Sequence, residues 1–456
     1  MKKIHLLIIL FVAASTFFSQ EKESEFVTVK GDSLVGSVVN GENIREVFGN
    51  VVITQGDVVI TCEKAVQYIV KNEILLIGNV IATQDTLTLK SEEAYYYGDE
   101  KIAKSDTTVY LHEPDIDLTA DSGKYFFNPK RAEFFGNVHV TDSLFNLYSQ
   151  KLYYYRELEK LRAIDSVRVS DTTSVIYSDS LIHFRNEEIS NAYGHVKVDN
   201  FDNNIVIFGD TLNSRNKENY SIITGEPLFI QIDTAANGTL DSLMIASRIM
   251  ESYTDSTKKF IATDSVRIIR GGFSSINDKA IFYRADEVIE TIKSGEGKKQ
   301  PVLWYDQSQL VGDSVYIHLK DNKLNFIDIK NNAIIISAHD SLDWRYDQIS
   351  GVRIKMFFND STIQRTEVYE NMLSIYFLLE DGKPNGLIKS SSETGKIMFE
   401  DGRVVDVRLY GDPNSEYHPE GLIKNKVREF TLPLFRLYEN RPQKSDLNKL
   451  IRETNE

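Results

Sequence analysis

The chain has 456 residues, a formal charge of −15 and one cysteine, Cys62. The acidic balance argues against nucleic acid and anionic membrane surfaces as electrostatic partners, and a lone cysteine excludes an internal disulfide. Nine prolines against 23 tyrosines and 24 phenylalanines suit a strand-rich protein.

Residues 1–20, MKKIHLLIILFVAASTFFSQ, place Lys2 and Lys3 ahead of an apolar run from Ile4 to Phe18. This is the pattern of a cleaved secretory signal peptide. The run is short for a bilayer span of about 20 residues, and no comparable stretch follows. Loss of the two lysines takes the mature chain to −17. Export without disulfides means that sheet packing alone must hold the protein together. No cysteine stands just after the apolar run, so a lipid-modified N-terminus is not expected.

Beyond the leader an internal repeat dominates. Val51, Val80, Val109, Val138, Val167 and Val196 stand 29 residues apart. Cys62, Ser91, Ala120, Ser149 and Ser178 keep the same step with small residues, and Tyr68, Tyr97, Phe126, Tyr155 and Phe184 keep it with aromatic ones. Within a unit the pattern alternates: Val51/Ile53, Val80/Ala82, Val109/Leu111, Val138/Val140, Val167/Val169 and Val196/Val198 face one way, while Tyr110, His139, Arg168 and Lys197 lie between them. One apolar face and one mostly wet face define a half-buried strand. An Asp-, Thr- and Ser-rich turn follows, then a second alternating run at Val58/Ile60, Leu87/Leu89, Ile116/Leu118 and Phe145/Leu147. Each unit therefore predicts two strand segments. Gly49-Asn50, Gly78-Asn79, Gly136-Asn137 and Gly194-His195 precede the register valines, where glycine suits a tight turn or bulge.

The step loosens after Val198, with weaker copies at Gly225, Asp264-Ser265-Val266, Pro301-Val302 and Asn331-Asn332-Ala333. The pattern predicts strong repeats over 21–200, diverged repeats over 201–340, a further β region over 341–441, and a tail at 442–456 that is helical, with Ser445 as N-cap, or disordered.

Chemistry-bearing motifs are scarce. Eight histidines show no metal-ligand spacing, and no Gly-x-Ser-x-Gly elbow occurs. His139 and His195 fall at outward or turn positions. Ser294–Lys299 resembles a phosphate loop but lacks its first glycine and the Ser/Thr after lysine. Asp115-Ile116-Asp117 is one Asp-x-Asp, which an amphipathic strand also produces. Cys62 occupies a small-residue register, so its expected role is to be small. No enzyme activity, cofactor or metal is expected. The apolar face is the remaining candidate site, and sequence alone leaves open whether it is a filled core or a groove.

The phrases Gly49-Asn50-Val51-Val52-Ile53, Gly78-Asn79-Val80 and Gly136-Asn137-Val138-His139-Val140, with the second-strand segment Asp57–Tyr68, resemble the LptA/OstA family of lipopolysaccharide-transport proteins over about residues 40–200 and, weakened, to about 350. The resemblance implies an all-β fold, an elongated, repeat-built β-jellyroll of twisted antiparallel sheets open at both ends. It implies a periplasmic protein, associated with outer-membrane assembly, that carries lipid A acyl chains of lipopolysaccharide along an apolar groove. The groove set would be Val51, Ile53, Val58, Ile60, Val80, Leu87, Leu89, Val109, Leu111, Ile116, Leu118, Val138, Val140, Val167, Val169, Val196 and Val198. It further implies other Lpt components as partners by end-to-end pairing of edge strands, with self-association by the same edges and no nucleic acid. The rival expectations are a structural or adhesive β-solenoid with a filled core and, third, a parallel β-helix enzyme, for which no carboxylate cluster is found in the 29-residue frame.

Overall fold

The computed structural model describes residues 26–451 apart from 235–239, 296–297, 321–322, 339–343 and 360–361. The leader peptide and the centre of the Ser294–Lys299 loop lie outside the described residues. The chain is nearly all antiparallel β-strand, and it divides into two compact units whose main boundary falls between Thr107 and Thr108, with Phe126–Asn128 belonging to the first.

In the first unit β1 (Thr28–Lys30), β2 (Ser33–Val39), β3 (Glu42–Gln55), β4 (Val58–Tyr68), β5 (Glu73–Gln84), β6 (Leu87–Tyr97) and β7 (Ile102–Ser105) form a meander. Strands β3 to β7 pair in sequence, and β1 and β2 both pair with β3. The second unit begins with β8 (Val109–Glu113), β9 (Ile116–Ala120), β10 (Ser122–Phe127, its last two residues in the first unit), β11 (Lys130–Asp142), β12 (Asn146–Tyr155), β13 (Lys160–Ser170), β14 (Ser174–Phe184), β15 (Ile189–Asn200) and β16 (Ile205–Arg215). Here β9 pairs with β8 and β11, and β11 to β16 again pair in sequence.

The 29-residue period is the spacing of a bend. In β3, Gly49 and Asn50 have φ of 70° and 45°; in β5, Gly78 and Asn79 have 77° and 45°; in β11, Gly136 and Asn137 have 74° and 44°. At each pair the ladder register slips by one residue, a β-bulge that turns the strand. An acidic side chain from the preceding strand sits over the glycine. A Cβ on Gly49 would meet Asp32 Oδ2 at 2.5 Å and one on Gly78 would meet Glu63 Oε2 at 2.5 Å. The same carboxylate then accepts from the next residue: Asn50 Nδ2 to Asp32 at 2.9 Å, Asn137 Nδ2 to Asp121 at 2.8 Å. Asp165-Ser166 in β13 adopts the bulge without glycine, at φ of 66° and 51°. Thr107-Thr108 does not adopt it, and the strand is interrupted there between β7 and β8.

The second register has its cause beside the first. Across the ladder Val51 faces Cys62, Val80 faces Ser91, Val109 faces Ala120, Val138 faces Ser149 and Val167 faces Ser178. A small side chain fits opposite the buried valine at the bend. Cys62 Sγ donates to the Lys64 carbonyl at 3.2 Å as Ser149 Oγ does to that of Lys151 at 3.1 Å, so the cysteine stands in for a serine. Outward positions carry cross-strand cation–aromatic pairs, with Arg168 over Tyr148 and Lys197 over Tyr177.

From β16 onward the alternation fails for a physical reason. Val206 and Phe208 point outward, as do Leu228 and Ile230 of β18 (Leu228–Thr234), Met244 and Ala246 of β19 (Leu240–Ala246), and Ile269 of a later strand, Lys259–Arg270; β17 (Tyr220–Thr224) pairs with the other half of β16. The outer face becomes apolar because the C-terminal segment covers it. Leu447, fully buried in a short helix at Lys444–Asn448, packs with Phe208, Leu228, Met244, Ala246 and Ile269. Ile423 and Leu432 pack with Trp304, Ile334, Ile336, Phe377 and Leu387. Two glutamines on the sheet bind this strap as a neighbouring strand would. Gln348 donates to Phe430 O at 3.1 Å and accepts from Leu432 N at 2.8 Å; Gln309 donates to Arg436 O at 2.7 Å and accepts from Tyr438 N at 2.8 Å. Arg441 donates to the carbonyls of Asp306 at 2.7 Å and Gly272 at 2.9 Å.

Gly136→Val is expected to destabilise the protein by at least about 1–2 kcal/mol, the cost of left-handed backbone for a residue with a Cβ, while Asn137→Gly costs less; urea unfolding midpoints check the order. Gln348→Ala leaves a buried and a partly buried backbone group of the strap without their partner, at about 1–3 kcal/mol each, and its unfolding midpoint should fall well below that of an exposed control such as Gln150→Ala.

Candidate functional site

Within each unit the bulges bring hairpin tips toward each other, and buried polar side chains join them. The partners lie 41 to 43 residues apart, about one and a half repeats. In the first unit Gln55 Nε2 donates to Gly98 O at 3.0 Å, the Tyr96 hydroxyl donates to Gln55, and Gln84 Nε2 donates to Phe127 O at 3.2 Å. In the second, Glu113 accepts from the Tyr154 hydroxyl at 2.6 Å and from Arg156. Burial, reinforced by Glu113, pushes the Tyr154 phenol up, so it remains a donor. The next rung is ionic: Arg185 reaches Asp142 at 3.1 Å and Glu159 at 2.6 Å.

The seam stops there. Asp171, one repeat beyond Asp142, accepts from Thr173 N and Ser174 N of its own turn, each at 2.7 Å. Burial works to raise its pKa, but these hydrogen bonds outweigh that and hold it below the ordinary carboxylate range. Ser214, in the position a further rung would need, bonds Asn216 and Ser221. Among the described residues no hydrogen bond joins Asp171 to that row.

Where the seam lacks a rung, the interior opens into a cavity of about 730 Å³, within the range of small-molecule sites. Its floor is apolar: Leu147, Val169, Ile176, Val198, Ile205, Ile207, Leu212, Ile223, Phe229, Met250 and Phe260. Its rim is polar, with Asn186, Asn200, Asn203, Asn216, Ser252 and Thr254, the charged Asp115, Asp142, Glu159, Asp171, Arg185, Glu188, Glu251 and Arg284, and His183. The His183 ring packs edge-on against Phe145, and its Nδ1 lies 2.9 Å from Ser190 Oγ. Burial holds its pKa below the ordinary value, so the imidazole is neutral.

Of the residues expected to line a groove, the structure brings only Val169 and Val198 to this cavity. Val51, Ile53, Val58, Ile60, Val80 and Leu87 are buried in the first unit, with Leu89 half-buried. Val109, Leu111, Ile116, Leu118, Val138, Val140, Val167 and Val196 are buried in the second. The remaining floor residues lie past Val198, where the 29-residue step loosens. Cross-strand parity would have reached them, since Val198 faces Ile207 and Ile207 faces Phe229.

The other candidates have structural roles. Burial pushes the Cys62 thiol up to about 11, far from a reactive thiolate. His139 stacks on Tyr148, and His195 pairs at 2.8 Å with Asp179 at a bulge. Asp117 pairs with His112 at 2.7 Å. Among the described residues no group of three His, Cys, Asp or Glu side chains is placed to hold a metal.

The fold and site therefore define a bent antiparallel repeat array with an apolar interior chamber. Residues 23–169 match the family model described as OstA-like protein. Among solved structures, LptH, the LptA-homologous periplasmic component of the lipopolysaccharide transport device of Pseudomonas aeruginosa, is 13% identical over 37% of this chain and 83% of its own, with a TM-score of 0.11. No curated protein matches the chain.

His183 takes up a proton less readily in the folded chain than in the unfolded one. Its contribution to stability is therefore present above about pH 6.5 and is lost as the pH falls through that value. His183→Gln should flatten the decline in unfolding free energy between about pH 7 and 5.5, measured by urea titration at each pH.

Proposed function

We propose that this chain takes part in lipopolysaccharide transport in the periplasm as a non-catalytic carrier, with acyl chains held on the floor of the Leu147–Phe260 cavity. The carrying observation is that an apolar chamber opens in the second unit where the polar seam ends, beside the buried Val138 and Val140. The OstA-like stretch at residues 23–169 supports the same reading.

The energetics favour such a site. Each methylene removed from water contributes about 0.8 kcal/mol, so an acyl chain of about a dozen carbons gains near 10 kcal/mol before ordering costs. The net negative charge does not oppose this, because the contact is apolar. The terminal strands suit docking to neighbouring components by strand addition. In β2, Leu34 and Val38 are 58% and 69% exposed; in the strand Arg403–Tyr410, Val405 and Val407 are each 52% exposed. These edges are where other transport components, or further copies, would pair.

Ile207→Asp or Phe229→Asp should weaken binding of a fluorescent dodecanoyl probe by at least about tenfold, since each buries a charge against the chain, while the outward Tyr177→Asp leaves it unchanged. Equal probe binding by all three, in variants with native circular dichroism, would refute the reading.

A further inference from the structure

Of the two arginines that line the cavity, one has no carboxylate partner among the described residues. Arg185 has two carboxylates, and elsewhere Arg248 pairs with Asp264 and Arg353 with Asp328. Arg284 differs. It follows the strand Phe273–Tyr283, lines the chamber, and its hydrogen bond is one from Nε to the Lys258 carbonyl at 3.2 Å. Among the described residues no carboxylate pairs with it. Partial burial alone pushes its guanidinium below the ordinary range, with no neighbouring charge contributing. Desolvating a cation without a counter-charge is unfavourable unless a ligand supplies one.

The surrounding carboxylates are largely engaged. Asp142 and Glu159 hold Arg185, and Asp171 serves its own turn. Glu251 accepts from the Tyr220 hydroxyl at 2.8 Å, and burial together with that carboxylate pushes the phenol up to about 12, so it stays a donor. Asp115 and Glu188 complete the acidic rim. Long-range attraction of an anion is therefore weak, and recognition depends on direct contact with the guanidinium edge, whose parallel N–H donors match two oxygens of one anion.

We propose that Arg284 is the anion-recognising point of the chamber, taking a phosphate or carboxylate of an amphiphile whose acyl chain lies on the apolar floor. This rests on the carrier reading and adds the polarity of its ligand. Met250 and Phe260 share the chamber with Arg284, alongside the hydroxyls of Ser252 and Thr254, so the apolar and anionic parts of one molecule are both accommodated.

The test compares dodecyl phosphate, dodecanol and inorganic phosphate, each below micellar concentration, by calorimetric titration of the full chain and of Arg284→Ala and Arg284→Lys. The wild type is expected to bind dodecyl phosphate at least about tenfold more tightly than dodecanol, the size of one charge-assisted contact. Arg284→Ala should lose that preference with dodecanol binding unchanged, and Arg284→Lys should retain part of it. Inorganic phosphate should not compete at millimolar concentration. Equal binding of the two amphiphiles by the wild type, or an undiminished preference in Arg284→Ala, overturns the assignment while leaving the carrier reading intact. Tight binding of inorganic phosphate alone overturns the amphiphile and leaves a free-anion site. Binding of neither amphiphile to the wild type removes the carrier reading itself.

Discussion

Two consecutive residues with positive φ, held under a carboxylate from the preceding strand, are the constraint on which the architecture depends. An antiparallel meander with period-two alternation would otherwise remain an open sheet with one wet and one apolar face. The bulge bends each strand near its middle, so both halves of the apolar face turn inward and enclose one another. Everything downstream follows from regular placement of that bend: the small residue opposite each register valine, the two rows of tips, and the seam between them.

The seam explains why a repetitive ribbon leaves a chamber at one place in the second unit. Up to Arg185 each repeat supplies a polar side chain that reaches across, as an amide, a tyrosine–glutamate pair or an arginine–carboxylate pair. These bonds replace the hydration that the tips lose on approaching one another. At Asp171 the same sequence position serves its own turn instead. A local change of hydrogen-bond partner, within an unchanged β framework, is enough to leave space for a ligand.

Much of this was legible in the residues. Strand alternation, the Gly-Asn bend and the small-residue register are consequences of backbone geometry, which repeats with the sequence. The replacement of Cys62 by serine or alanine in sister repeats correctly marked it as a packing residue. Less legible were features that depend on residues distant in the chain. The chamber needs the seam, and the seam joins positions 41 to 43 apart rather than 29. The outward apolar residues Val206, Phe208 and Met244 blurred the repeat after Val198 because their partner, Leu447, comes about 200 to 240 positions later.

That separation has a consequence for how the molecule is made. Ribosomes deliver Leu447 and its neighbours after the strands they cover, so the oily exterior spanning Val206 to Leu387 stays bare while those strands already exist. Contacts this remote close slowly, since loop closure must precede any gain from burial. A nascent chain that has released those hairpins is still sticky on one side, and a stop codon before Ile423 would leave it so permanently. The strap thus acts as a late cover for a surface that would otherwise invite aggregation.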